Sequence, residues 1–339
     1  MSESVSHHGR RFVRSLALVF GAMGNTGNIV ISDWSAYHFY CHVDSPSLCG
    51  AVATASNPLS AQRGKKLDFA RFNCNHPLYG GAPVTLLVGD ASRRRSSKEY
   101  DCRFCGSELP KGSFLKLRDG LYITSPELTY ARLANYVPEI RLAEIGTNLC
   151  GRFFINLDNG ELPNRTELLT TPEKIGRYLQ RTEGLRGAAK ARKALSFVLG
   201  NSASPMETKT MLQFCIPLRK GGFNLPFKEM NYEISPGREA LVSGQDGFSL
   251  DLANPDLGVC IEYDGGEYHR DASKDKRRRN ALAALGWEVF PIDKEVLYDP
   301  IATERFANQV ARYLGLRIRK PSSWDEKFIE LRRALDLPV

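Results

Sequence analysis

The sequence predicts a mixed α/β protein, with a mixed central sheet flanked by helices in its C-terminal part and an α+β region before it. Three observations support this fold class. After Ser202 the apolar pattern follows the order helix, strands, helix, strand, helix. Residues 248–252 and 259–264 alternate in polarity and are separated by a short turn rich in Asn, Pro, Asp and Gly. Ser-Pro and Thr-Pro pairs followed by glutamate mark several helix starts.

The chain has 339 residues, a length that accommodates two domains. Hydrophobic residues make up 42% and charged residues 25%, which is typical of globular rather than disordered protein. The sequence pattern changes near Asn201, where Gly200-Asn201 ends a helical pattern. We therefore expect an α+β region over residues 1–200, a second domain over 201–317 and a helical tail over 318–339.

Charge and cysteine content constrain the partners and the compartment. Lysine and arginine total 46 against 38 aspartate and glutamate, a net charge of +8. This modest excess favours a polyanionic partner but carries little weight alone. Eight scattered cysteines do not resemble a secreted disulfide scaffold, and neither a signal peptide nor a membrane-spanning run is evident. We expect a cytoplasmic protein with reduced thiols and no membrane partner.

In the N-terminal region, short strands and loops are expected over the first hundred residues. Residues 121–123 predict a strand. Ser125-Pro126-Glu127 begins a helix because serine caps the open amides and proline tolerates the first helical position. Two short helices are expected through Asn148. Thr171-Pro172-Glu173 opens another helix to about Arg181, and a basic helix is expected over 188–199.

In the C-terminal region, the turn between the two alternating segments lies at residues 254–258. Gly286 is well placed to end the helix that we expect over residues 270–285. The remaining predicted elements are a helix over 204–215, a strand over 231–234, a helix over 270–285, a strand over 287–292, and helices over 301–314 and 324–335.

The predicted hairpin places acidic residues on one face of the sheet. Side chains on a strand alternate between faces, so Glu262 and Asp264 share a face within residues 259–264. Asp251 opposes the apolar side chains of residues 248–252 in the same way. Folding the hairpin at its turn brings Asp251 opposite Glu262, and directly opposed residues point to the same face. The pattern predicts that three carboxylates converge.

Such a cluster is unfavourable without a cation, because like charges raise one another's pKa. Magnesium is held by one or two carboxylates together with water and substrate phosphate. We therefore predict a Mg²⁺ or Mn²⁺ site at Asp251, Glu262 and Asp264, with Glu207 orienting a water or adding a ligand. The alternative is that these acids decorate the solvent face of a hairpin, which for any single carboxylate is the commoner situation.

One stretch, residues 251–292, resembles the endonuclease-like domains related to very-short-patch-repair enzymes, in the PD-(D/E)xK superfamily. The resemblance is carried by Ile261-Glu262-Tyr263-Asp264-Gly265, Tyr268-His269 and Leu285-Gly286-Trp287. It implies a restriction-endonuclease-like core and metal-dependent hydrolysis of phosphodiester bonds. Asp251 matches the first family aspartate, Glu262 and Asp264 match the Glu-x-Asp pair, and Glu207 matches the helical glutamate.

The sequence departs from the family pattern at two points. The literal Pro255-Asp256 pair falls in the turn, where Asp256 would not reach the site. The lysine of the superfamily name is replaced by Asp264, which puts activity in doubt. Lys274 or Lys276 on the following helix is a candidate for the missing positive charge.

Two further groups are candidates for the chemistry. His269 is either a general base or a histidine packing beside Tyr268. The basic run of the next helix either contacts nucleic-acid phosphates or forms the solvated side of a helix. Its candidate nucleic-acid-binding residues are Lys274, Lys276, Arg277 and Arg278.

The phrase from Gly120 to Glu127 is similar to one in abortive-infection antitoxin-like proteins of bacteria, where it follows a winged-helix DNA-binding region. It implies that the N-terminal region recognises a partner.

Residues 93–98 form either a phosphate-binding loop or a solvated loop. Cys102 and Cys105 form a CxxC pair, and a zinc site would need Cys41, His42, Cys74 or His76 to join it, which we do not favour.

The sequence supports a first hypothesis of a bacterial metal-dependent DNA endonuclease. The second is a binding protein, such as an antitoxin-like regulator, that kept the nuclease fold without cutting. A third is a module that binds a protein partner through its basic N-terminal region.

Overall fold

A computed structural model describes residues 27–47, 51–62, 65, 77–81, 83–234, 247–265 and 272–339, with the backbone alone described at 78 and 272–275. The predicted α/β class is confirmed, with mixed sheets flanked by helices. The chain divides into two compact units. The first contains residues 1–142 and 152–195, and the second contains residues 143–151 and 196–339.

A mixed sheet forms the centre of the first unit. Its described strands are β1 (Ile29–Ile31), β2 (Val52–Thr54), β3 (Val84–Val88), β4 (Arg95–Ser96), β5 (Tyr100–Phe104), β6 (Phe114–Arg118) and β7 (Leu121–Thr124). These seven strands follow the order β2-β6-β7-β1-β3-β5-β4, in which β1 pairs parallel with β7 and antiparallel with β3.

Helices pack beside this sheet. The boundary between the two units falls within one of them, Glu139–Leu149, after residue 142. The helices up to that boundary and through the rest of the first unit are α1 (Asp33–His42), α2 (Pro126–Leu133), α3 (Glu139–Leu149), α4 (Pro172–Gln180) and α5 (Ala188–Leu195).

A buried ion pair joins α1 to α2. Asp33 is fully buried with a left-handed φ of 52°, and Arg132 is 5% exposed. Arg132 Nε donates to Asp33 Oδ1 at 2.7 Å and Arg132 Nη2 donates to Asp33 Oδ2 at 3.0 Å. A bidentate pair of this kind compensates the desolvation of both charges only while both partners are present.

A second mixed sheet lies at the centre of the second unit. Four described strands follow the order β11-β10-β9-β8. β9 pairs antiparallel with both β8 and β10, and β11 pairs parallel with β10. Because β10 and β11 are parallel, the chain between them crosses over through a helix. The strands are β8 (Glu229–Ile234), β9 (Phe248–Asn254), β10 (Val259–Asp264) and β11 (Glu288–Asp293).

The second unit buries its own apolar core. One described cluster contains Phe248 and Leu250 of β9, Cys260 of β10 and Leu282 of the crossover helix.

None of the helices in the described part of the chain is long and apolar enough to cross a membrane. The helices that follow α5 are α6 (Pro205–Cys215), α7 (Ala272–Ala284), α8 (Lys294–Tyr298), α9 (Pro300–Tyr313) and α10 (Trp324–Ala334).

The predicted helix starts are confirmed at atomic detail. Ser125, Thr171 and Ser204 each accept a hydrogen bond from the backbone N–H three residues later. Proline follows each of them at the first helical position. Local capping chemistry therefore sets where these helices begin.

Several predicted boundaries differ from the structure by one to four residues, and two of these differences have a clear physical reason. The helix expected over 188–199 ends at Leu195, where Ser196, Phe197 and Val198 have weaker helix propensity. The strand expected to end at Leu252 continues to Asn254, because Ala253 and Asn254 still pair with β10. The turn of the hairpin is therefore confined to residues 255–258.

Candidate active site

The β9–β10 hairpin places two predicted acidic residues side by side. The register pairs Leu252 with Ile261, and one step further along the strands Asp251 lies opposite Glu262. At this step the Tyr263 backbone N–H donates to Asp251 Oδ2 at 2.8 Å. The Asp251 carboxylate is therefore held against β10 by a backbone donor.

Glu207 reaches the site from the first turn of α6. Its backbone N–H donates to the capping Ser204 at 3.1 Å, and its Oε2 accepts from the Ala203 N–H at 2.8 Å. The same oxygen accepts from Asn231 Nδ2 of β8 at 2.7 Å. Helix N-termini favour negative charge, so the start of α6 stabilises this carboxylate.

Arg278 of α7 supplies the positive charge of the cluster. Its Nη2 donates to Glu262 Oε1 at 2.5 Å and to the Ser249 carbonyl at 2.9 Å. Both side chains of this ion pair are about three-quarters buried, with 22% and 23% of Arg278 and Glu262 exposed. We predicted a phosphate contact for Arg278, and the structure places it on a carboxylate of the site.

Asp251 has a strongly perturbed pKa. Burial, followed by the neighbouring negative charges of Glu207 and Glu262, raises the pKa of its carboxyl to about 7. The Tyr263 N–H and the Arg278 guanidinium oppose this rise in pKa by favouring the ionised form. A carboxyl in this state can accept a proton or a cation near neutral pH.

Asp264 lies at the end of β10, where the parallel register pairs it with Asp293. Asp293 caps α8 by accepting from the Val296 N–H at 2.8 Å. Asp256 lies in the hairpin turn as expected, where it is exposed and forms an ion pair with Lys228. The literal Pro-Asp pair is therefore outside the acidic cluster.

The predicted metal ligands are not assembled as a set of three. Within the ranges that the structure describes, no group of three His, Cys, Asp or Glu side chains could hold a metal ion. The physical reason is visible at Glu262, whose carboxylate oxygen is taken by Arg278, and at Asp251, whose oxygen accepts from Tyr263. Asp251 and Glu262 remain neighbours on adjacent strands.

The other predicted residues are placed as follows. Lys276 and Arg277 are exposed on α7, beside the ion-paired Arg278. The side chain of Lys274 and all of His269 lie outside the described residues, so their predicted roles stay predictions.

The residues proposed for a zinc site are only partly described. Cys102 and Cys105 are buried and free, whereas Cys74 and His76 lie outside the described residues. His42 Nδ1 lies 2.9 Å from the Ile155 carbonyl, consistent with a hydrogen bond to the backbone. We predicted a loop over residues 93–98. Arg93 ends a short 3-10 turn, residues 94–98 are exposed, and Arg95–Ser96 form the short strand β4.

Sequence reasoning missed Asn231, which holds Glu207 in place. The sequence marks it only as the start of a predicted strand, and an asparagine at a strand position carries no periodic signal. Its poor fit to a strand was the one available indication that it serves another purpose.

Comparison with known proteins yields partial matches. Part of the chain is 32% identical, over 136 residues, to the uncharacterized proteins MT2308 and Rv2248 from two strains of Mycobacterium tuberculosis. The match covers 39% of this chain and 44% of each relative, less than half of either length. No family model matches the chain. No solved structure matches it.

Proposed function

We propose that the second unit is a metal-dependent endonuclease that hydrolyses phosphodiester bonds, with DNA as its substrate. The observation that carries the proposal is Asp251, a largely buried carboxyl whose pKa is raised to about 7 beside Glu207 and Glu262. Structural carboxylates are normally arranged so that their pKa falls. A cluster that raises the pKa instead is typical of sites where a cation or a proton is exchanged.

The donor chemistry of this cluster fits a hard divalent cation. Asp251 and Glu262 would hold Mg²⁺ or Mn²⁺, which commonly bind to proteins through one or two carboxylates with water and phosphate completing the shell. When bound, such an ion activates water and stabilises negative charge on a phosphodiester. Glu207 would orient the water, and Asp264 and His269 would assist it from the end of β10 and the segment after it.

Arg278 has a defined part in this proposal. Its guanidinium neutralises Glu262 while the site has no cation, and it lies one residue after the exposed Arg277 and two residues after the exposed Lys276. The exposed residues would contact the phosphate backbone of the substrate. Arg278 also provides a positive charge in a site where the superfamily lysine is replaced by Asp264.

The test is cleavage of supercoiled plasmid DNA with Mg²⁺ or Mn²⁺, with an EDTA control. We expect nicking by the wild-type protein and none by Asp251→Asn or Glu262→Ala. Glu229→Gln is the matched control, because Glu229 is an exposed carboxylate on the same sheet. Unchanged cleavage by both site variants would contradict the assignment.

The ion pair of Glu262 with Arg278 favours a second candidate, a protein that binds DNA with the same fold and does not cut it. A guanidinium on the carboxylate is a stable arrangement without a metal. DNA binding that is unaffected by EDTA, without cleavage of double-stranded or single-stranded DNA, would support this alternative.

A further inference from the structure

Asn231 has a strained backbone in the middle of a strand. Its φ is 48°, in the left-handed region that non-glycine residues seldom adopt. Its neighbours keep a regular register, because Met230 pairs with Leu252 and Tyr232 pairs with Leu250. The strain is therefore confined to one residue and does not arise from an extra residue in β8.

Hydrogen bonds of the Asn231 side chain hold this conformation. Its Nδ2 donates to the Asn201 carbonyl at 2.9 Å and to Glu207 Oε2 at 2.7 Å. Its Oδ1 lies 3.4 Å from the Ser249 hydroxyl, which donates to it. The residue is 7% exposed, so these partners replace solvent almost completely.

The position of Asn231 relates it directly to the acidic cluster. The register on either side of Asn231 places it opposite Asp251 on β9. Its amide thus connects the strand beside Asp251 to the carboxylate of Glu207 on α6. Strained residues of this kind persist where the surroundings hold them and are concentrated at functional sites.

We propose that Asn231 is a positioning residue, which orients the Glu207 carboxylate toward the Asp251–Glu262 pair for the reaction. This inference rests on the proposed endonuclease function. Asn231 touches no reacting group itself and acts through the hydrogen bond from its Nδ2 to Glu207.

Three variants separate the side chain from the backbone. Asn231→Gly accepts the left-handed conformation without strain and removes the amide. Asn231→Asp keeps the shape and replaces the two donors by acceptors facing Glu207. Asn231→Ala removes the amide and keeps the strain. We expect all three to lower kcat for plasmid cleavage by about 10- to 100-fold with little change in KM.

The glycine variant gives the sharpest result. A role in backbone conformation alone predicts that Asn231→Gly keeps the wild-type kcat and Tm. Orientation of Glu207 predicts that the variant still folds but loses turnover, because relief of the backbone strain offsets part of the stability lost with the amide. Wild-type turnover in a well-folded Asn231→Gly protein would overturn the proposal.

A double-mutant cycle tests the same link without relying on cleavage. If Asn231 acts through Glu207, the Tm changes of Asn231→Asp and Glu207→Gln should be non-additive, because the repulsion introduced by the first is relieved by the second. Additive changes would overturn the proposal. This cycle remains decisive if the wild-type protein does not cut DNA, so that failure of the endonuclease function and failure of the Asn231 role are distinguished.

Discussion

The backbone N–H of Tyr263 donates a 2.8 Å hydrogen bond to Asp251 Oδ2. This bond crosses the β9–β10 hairpin at the step where Asp251 and Glu262 come face to face. A backbone donor cannot move away from its strand as a lysine side chain can. Asp251 is thus held in place even when its charge is unfavourable.

We expect Asp251→Asn to be more stable than the wild-type protein at alkaline pH. The pKa of Asp251 rises from 3.8 to about 7 on folding, so ionisation above pH 7 opposes the folded state. The stability that wild-type protein has below pH 4 is lost as the pH rises through 7. The gain of the asparagine variant should reach up to about 4 kcal/mol at pH 8 and vanish near pH 4.

Urea denaturation at pH 4, 6 and 8 measures this difference. Asp256→Asn is the control, since Asp256 is an exposed aspartate of the same hairpin. A stability difference between Asp251→Asn and wild type that does not change with pH would show that the carboxyl is not protonated on folding.

Magnesium should stabilise the wild-type protein and leave Asp251→Asn unchanged. A ligand that binds only the folded state adds stability by mass action, about 2.7 kcal/mol at a concentration 100 times its Kd. Differential scanning calorimetry at rising MgCl₂ measures the shift in Tm, with NaCl at equal ionic strength as the control. Equal shifts in both proteins would place the ion elsewhere.

Arg278→Met should destabilise the second unit by about 1–3 kcal/mol, because it leaves Glu262 largely buried without its charged donor. Arg279→Met is the control, since Arg279 is the exposed neighbour on α7 and surface changes alter stability by about 0.5 kcal/mol or less. Chemical denaturation at pH 7 compares the two. Similar losses in both variants would mean that the Glu262 contact contributes little.

The exposed cations of α7 should govern the salt dependence of DNA binding. Replacing Lys276 and Arg277 by glutamine should reduce the slope of log affinity against log salt by about 1 for each residue. Fluorescence anisotropy with a labelled duplex at several KCl concentrations measures the slope. Arg317→Gln is the control, an exposed arginine beyond α9. If it lowers the slope as much as the α7 variants do, the effect is general charge and not an interface.

Arg132→Met should destabilise the first unit by about 3–5 kcal/mol, because Asp33 would remain buried without its cation. Arg103→Met is the matched control, since Arg103 lies 3.8 Å from Asp33 Oδ2 and is more exposed. Thermal unfolding of both variants, followed by circular dichroism, tests the difference. A mild effect of Arg132→Met would show that Asp33 is neutralised in another way.

Features encoded by neighbouring residues could be predicted from the sequence. The capped starts at Ser125, Thr171 and Ser204 depend on contacts three residues apart, and the hairpin register depends on alternation and one short turn. The placement of Asp251 beside Glu262 follows from that register.

Features that depend on distant residues could not be predicted. Arg278 returns to Glu262 only because β11 pairs parallel with β10 and α7 makes the crossover. The left-handed Asn231 is held by Asn201 and Glu207, which are 30 and 24 residues away. The strand order of the first sheet is likewise set by non-local pairing, which periodicity does not report.

The topology of the second sheet also implies an order of folding. Strands β8, β9 and β10 are consecutive antiparallel neighbours, while β11 joins only after the crossover closes. Hairpins form quickly, and parallel pairing across a long connection is slower. We therefore expect the carboxylates of the hairpin to meet before Arg278 arrives to neutralise them.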